Sequence, residues 1–289
     1  MKDIVKEKIA SLLSGDEEIQ SVEQLGGMTN QNYLVKTSSN QYIVKFFGKG
    51  TDKLINRQAE KYNLELLKDL KLDVENYLFD IEAGIKVNQY IENAETLDST
   101  IIKTKFEEIA PILQTIHASG KELKGEFAPF EEIKKYESLI QGEISYPNYE
   151  AVRKSVFALQ NRLASIGVER KSCHIDLVPE NFIEGPDGHL YLIDWEYSSM
   201  NDPMWDLAAL FLESEFTPEE EENFLTCYES EKTPVSSEKI RIYKILQDII
   251  WSLWTIYKEE NGADFGDYGI SRYQRAVKGL TYYGGSDEK

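Results

Sequence analysis

A change of hydrophobic period near residue 90 constrains this chain more than any other feature. Before it, apolar residues come in short runs at Ile19 to Leu25, Asn32 to Thr37, Gln41 to Phe47, Tyr77 to Ile81 and Ile85 to Ile91. Each run has strand length, and glycine, serine or asparagine turns separate the first three. Ile4, Val5, Ile9, Leu12 and Leu13 fall at helical spacing ahead of them. Leu54, Ala59, Tyr62, Leu66, Leu67 and Leu70 make one helix face between the third and fourth strands. Beyond Glu92 the stripes are helical, including Phe106, Ile109, Leu113, Ile116 and His117, then Val152, Val156, Leu159, Leu163 and Ile166. Further helices are expected at about 203–214, 218–230, 236–260 and 270–283. One strand pair interrupts them, Phe182-Ile183 and Leu190 to Ile193, turned by Gly185-Pro186-Asp187-Gly188. The expected class is α+β: a small sheet with one inserted helix over residues 1–91, then a mainly helical part over 92–289 holding one hairpin.

Charge narrows the partners. The 289 residues carry 51 acidic and 32 basic side chains, a formal net charge of −19. A general phosphate-neutralising surface is basic, so neither nucleic acid nor anionic lipid is an expected partner. A negative field favours cationic small molecules, although solubility alone accounts for it just as well. Cys173 and Cys227, the two cysteines, make no disulfide framework and no metal-ligand spacing. Ile245 to Tyr257 is the most apolar stretch, but Gln247, Asp248 and Ser252 interrupt it and it is too short to span a bilayer. The charged first residues do not resemble a signal peptide, so a reduced, cytoplasmic chain is expected.

The hairpin is framed by polar residues that its apolar pattern does not require. Ahead of it run His174-Ile175-Asp176-Leu177-Val178-Pro179-Glu180-Asn181, and behind it Asp194-Trp195-Glu196. A hairpin brings its ends together, so Asp176, Asn181 and Asp194 are expected to converge. An amide oxygen and a carboxylate make a hard oxygen site suited to Mg2+ with phosphates. A second carboxylate in the loop can accept the proton of an attacking hydroxyl.

This spacing resembles the catalytic loop of protein-kinase-like phosphotransferases: His-x-Asp, four residues, Asn, a strand pair, then Asp. Gly26-Gly27-Met28-Thr29-Asn30, then Lys45 on a strand and Glu60 in the next helix, follow the order of the same family's phosphate-binding elements. The departures disfavour a protein kinase. Ile175 stands where an arginine would, Asp194-Trp195-Glu196 replaces Asp-Phe-Gly, and too few residues separate Asp194 from Asp206 for a peptide-docking segment. The chain is most similar to the choline/ethanolamine kinase family, in particular its bacterial choline kinases. The similarity rests on Ile193-Asp194-Trp195-Glu196-Tyr197, Asp202-Pro203-Met204-Trp205-Asp206 and Trp251-Ser252-Leu253-Trp254. It implies a protein-kinase-like two-lobed fold and an ATP- and Mg2+-dependent kinase of choline's hydroxyl. The alternatives are ethanolamine, an aminoglycoside or another small alcohol.

Roles follow from the resemblance. Asp176 would be the base, and Asn181 and Asp194 the Mg2+ ligands. Lys45, held by Glu60, would steady the phosphates, with Gly27, Thr29 and Asn30 around them. The backbone of Gln89 and Ile91 would read adenine. Trp251, Trp254 and Tyr268 would surround the trimethylammonium, with Tyr197 nearby and Glu213 as its acid. Choline has no N–H donor, so aromatic faces rather than hydrogen bonds must select it. Blander roles suit other residues. An aromatic i, i+3 pair is ordinarily core packing. His117 is expected to be a packing histidine with its hydrogen bonds satisfied, His174 to brace the loop, and Cys173 to be a small buried residue. Asp202 and Asp206 read as helix caps, and Glu196 either meets a second Mg2+ or holds a neighbouring loop. Oligomeric state has no signal in the sequence.

Overall fold

The computed structural model describes residues 2–9, 12–13, 17–27, 30–48 and 50–284. They divide into two compact units, one of residues 1–112 with 179–198 and one of 113–178 with 199–289. Compactness thus places the hairpin with the sheet, not with the helices.

In the first unit, helix α1 (Lys2–Ile9) is followed by strands β1 (Ile19–Gln24), β2 (Gln31–Thr37) and β3 (Gln41–Phe46). Helix α2 (Arg57–Leu67), capped by Asn56 accepting from the Ala59 N–H at 3.0 Å, leads to β4 (Asn76–Asp80) and β5 (Ile85–Gln89). The strands form an antiparallel sheet in the order β1-β2-β3-β5-β4. Val5 and Ile9 of α1 pack on its apolar face with Ile19, Val35, Val44, Ile85 and Val87. Register matters here. It sets Lys45 of β3 directly opposite Lys86 of β5.

The remaining elements are β6 (Glu95–Thr96), α3 (Phe106–His117), α4 (Pro129–Leu139), α5 (Tyr149–Ile166), β7 (Lys171–Cys173), β8 (Phe182–Glu184), β9 (Leu190–Leu192) and β10 (Ser199–Asn201). Four helices complete the chain: α6 (Pro203–Glu213), α7 (Pro218–Tyr228), α8 (Ser237–Glu260) and α9 (Tyr268–Gly284). The β8–β9 hairpin turns at Gly188, whose φ of 79° suits glycine, and β6 pairs on its outer edge. In the second unit β7 pairs with β10, and α8 packs against α4, α5, α6 and α9.

The expected class holds: a small sheet with one inserted helix, and helices elsewhere. Helix α4 was not expected. Its buried Phe130, Ile133 and Tyr136 are at helical spacing, but charged residues between them hide the stripe.

Candidate active site

The site is built from the hairpin outward. The Ile193 N–H donates to the Asn181 carbonyl at 2.8 Å, so the two ends of the hairpin lie side by side. Asp194 then takes φ 65° and ψ 60°, a left-handed conformation that aspartate tolerates better than most side chains and that clusters at functional positions. Its side chain is 26% exposed and receives Lys45 Nζ at 2.6 Å. Asn181 is buried. An amide oxygen and a partly exposed carboxylate at one hairpin end fit a hard divalent cation by donor chemistry.

Lys45 was expected to pair with Glu60, and the structure gives both residues other partners. Glu60 Oε1 receives the buried Lys86 Nζ at 2.7 Å and its Oε2 receives Arg57 at 2.7 Å. The register is the reason, because it sets a second lysine beside Lys45 within the same sheet. Burial alone would raise the Glu60 carboxyl, yet Lys86 and Arg57 hold it below its ordinary range. Burial pushes the nearby Asp73 carboxyl up to about 7, against the pull of Lys86 and the Val74 N–H.

The Gly26-Gly27 turn is fastened by Asn32 Nδ2, which donates to the Gly26 carbonyl at 2.9 Å. A Cβ on Gly27 would lie 2.6 Å from the Asn30 carbonyl oxygen, so only glycine fits. Thr29 lies outside the described residues. Asn30 does not present its amide as a spare donor. Its Nδ2 donates to Glu196 at 2.7 Å while its Oδ1 accepts from Arg57 at 2.9 Å. Arg57 also reaches Glu196 at 2.9 Å and lies over the Phe47 ring. Of the two roles expected for Glu196, this network shows the holding of a neighbouring loop. Gln89 spends its backbone N–H on the Glu75 carbonyl at 2.8 Å, so that N–H is not available to an adenine edge. Ile91 accepts from the Ala94 N–H at 3.3 Å in a turn.

The segment bearing Asp176 belongs to the second unit. Ile175 has φ 78°, costly for a β-branched side chain by about 1–3 kcal/mol. It is held there from three directions. The His174 and Ile175 N–H groups donate to the two oxygens of Asp206, each at 2.8 Å. Trp205 Nε1 donates to the Ile175 carbonyl at 3.0 Å. Asp202 is indeed the N-cap of α6, accepting from Met204 at 3.0 Å. Asp206 is not a cap but the anchor of the loop. His117, buried and satisfied as expected, links Asp206, at 3.0 Å, to the Tyr228 hydroxyl, at 2.7 Å, and so also supports that anchor. Cys173 is fully buried and burial raises its thiol, as a structural cysteine requires.

Four aromatic rings form a row in the same unit. Trp251 meets Trp254 edge to face at 6.4 Å, Trp254 meets Phe265 at 5.0 Å, and Phe265 meets Tyr268 at 6.4 Å. Both tryptophans are buried. Trp254 Nε1 is buried without a hydrogen-bond partner, at a cost of about 1–3 kcal/mol that Phe or Leu would avoid. Its ring is used, not its donor. Burial pushes the Tyr268 hydroxyl up to about 12, with Glu213 and Asp176 adding to the rise and Arg272 opposing it. Glu213 does not stand alone as an acid, because Arg272 NH2 donates to it. Tyr197, in the turn that follows Asp194, lies in the first unit. Phe265 and Arg272 were not singled out from the sequence. Their spacing offered a signal, three before and four after Tyr268, within reach on or beside one helix.

The choline/ethanolamine kinase family model matches residues 22–241. The crystal structure of choline kinase LicA from Streptococcus pneumoniae is 78% identical, covers 98% of this chain and 99% of its own, and superposes with a TM-score of 0.95. A structure of LicA in complex with AMP is 79% identical over 97% of this chain and 98% of its own, with a TM-score of 0.93. Protein LicA of Haemophilus influenzae is 31% identical over 88% of this chain and 78% of its own length. Among the described residues, no helix is long and apolar enough to cross a membrane.

Proposed function

The chain belongs to the choline/ethanolamine kinase family, and from that premise we propose that it transfers the γ-phosphoryl group of ATP to the hydroxyl of choline. It is a kinase of a small molecule. The observation that carries choline is the row Trp251, Trp254, Phe265 and Tyr268. A trimethylammonium offers no N–H, and each desolvated aromatic face contributes about 0.5–2 kcal/mol to holding it. An aminoglycoside carries several ammonium groups and calls for unpaired carboxylates, whereas Glu213 and Asp248 of this unit are both engaged by arginines. The chain's free cysteines suit a reduced cytoplasm, where ATP is plentiful.

In this mechanism Asp176 accepts the proton of the choline hydroxyl as its oxygen attacks phosphorus, and ADP leaves in line. Asn181 and Asp194 would hold Mg2+, which when bound neutralises charge on the phosphates. Lys45, whose ammonium lies beside Asp194, would place its charge on the nucleotide phosphates. Lys45→Met is therefore expected to lower turnover and nucleotide affinity while leaving choline affinity nearly unchanged. Equal losses for both substrates, with an intact circular dichroism spectrum, would contradict that division of labour.

An ADP-release assay across choline, ethanolamine and an aminoglycoside tests the substrate. Burying three methyl groups should gain roughly 0.8 kcal/mol each, and ethanolammonium must surrender water hydrogen bonds that rings replace poorly. Choline is expected to lead ethanolamine by at least about tenfold in kcat/KM, a gap of about 1.4 kcal/mol. Trp254→Ala is expected to erase most of that lead and leave the KM for ATP unchanged. An ethanolamine preference in the parent chain, or an unmoved ratio in Trp254→Ala, would remove choline as the substrate while leaving the kinase.

A further inference from the structure

Arg272 is 4% exposed and stands one helical turn after Tyr268 on α9. Its guanidinium lies over the Tyr268 ring, 4.8 Å from the centroid. NH1 donates to Asp248 Oδ1 at 3.1 Å, and NH2 donates to Glu213 Oε1. Asp248 is shared with Arg275, whose Nε and NH2 both approach its oxygens at 2.7 Å. Two carboxylates thus meet two guanidinium groups, and their formal charges cancel. Phosphoryl transfer needs none of the four. A buried ion cluster is also a poor way to stabilise a fold, because desolvation offsets most of the attraction. Its position beside the aromatic row calls for another purpose.

Left unpaired, Glu213 would accept hydrogen bonds from the N–H groups of a primary ammonium. Paired with Arg272, its Oε1 lone pairs are directed at the guanidinium. Arginine suits the task because it stays charged at every physiological pH and lies flat on a ring, which lysine does not. We infer that Arg272 is a specificity-determining residue: by taking Glu213 Oε1 and balancing its charge it leaves Glu213 a weaker acceptor for a primary ammonium, so that the row of rings selects a quaternary one. The inference rests on choline being the substrate, and it says why ethanolamine is the poorer one.

The test is kcat/KM for choline and for ethanolamine, measured by ADP release on the full chain. In Arg272→Gln the freed carboxylate should accept from ethanolammonium. The choline-to-ethanolamine ratio should fall at least about tenfold, mainly through a lower KM for ethanolamine, as expected when a site gains an acceptor for a substrate N–H. In Glu213→Gln, with Arg272 intact, both substrates should weaken in parallel and the ratio should hold. In the double variant the ratio should return toward that of the parent, because no carboxylate remains to be freed. An unmoved ratio in a folded Arg272→Gln protein would overturn the inference. So would a selective loss of ethanolamine in Glu213→Gln, since Glu213 would then already be serving as the acceptor. Should Arg272→Gln fail to fold, Arg272→Lys decides alongside Glu213→Gln. A lysine still paired with Glu213 should keep the preference for choline, and loss of that preference would count against the assignment. A parent chain that does not phosphorylate choline overturns the substrate and this inference together. A choline-preferring parent whose folded Arg272→Gln variant keeps its ratio overturns the inference alone.

Discussion

Asp176→Asn is expected to slow turnover by about two to four decades, roughly 3–5 kcal/mol at the barrier, while nucleotide affinity and thermal stability stay near those of the parent. Asparagine keeps the shape and one acceptor oxygen but cannot take a proton. The loop has no reason to move, because its backbone is fixed by other groups. Asp206 and Trp205 hold His174 and Ile175, and the Val178 N–H donates to the Asp176 carbonyl, not to its side chain. The loss should therefore appear in kcat, with little change in nucleotide dissociation constant or in the melting curve. Turnover within tenfold of the parent would show that some other group accepts the proton.

Asp206→Asn is expected to cost about 2–4 kcal/mol of folding stability and, separately, to lower turnover at least tenfold. Both oxygens of Asp206 face N–H donors, those of His174 and Ile175. An amide has only one acceptor oxygen, so either rotamer points an NH2 at an N–H. The left-handed Ile175 then loses one of the three hydrogen bonds that hold its turn, and the loop can relax toward ordinary backbone angles. His117 also loses a carboxylate partner. Urea denaturation measures the first effect and single-turnover kinetics the second. A stable variant with parental turnover would mean that Trp205 and the β7–β10 pairing position the loop unaided.

The hairpin that carries Asn181 and Asp194 was legible because its spacing is local. Asp176, Asn181 and Asp194 fall within one stretch of chain whose apolar pattern specifies a turn, two strands and a return, and the Ile193-to-Asn181 hydrogen bond joins the ends of that hairpin. Trp251 and Trp254 follow in the same way from the helical period of α8. What was not legible lies between elements far apart in the chain. A lysine on a strand and a glutamate in the next helix suggest a pair. The sequence does not show that Lys86 comes to stand opposite Lys45 and takes that glutamate. Asp206 reads as a helix cap, since an acid in the first turn favours the dipole.

The sequence by itself determined the order of the elements and where along them the side chains proposed to carry chemistry fall, because hydrophobic period and turn residues act over a few neighbouring positions. The tertiary structure alone decided how the distant charges are paired: Lys45 with Asp194, Glu60 with Lys86, and Glu213 with Arg272, residues 149, 26 and 59 positions apart in the chain. A charge pairs with whichever opposite charge folding brings within a few ångströms. That distance is set by sheet register and helix packing, which no local pattern encodes.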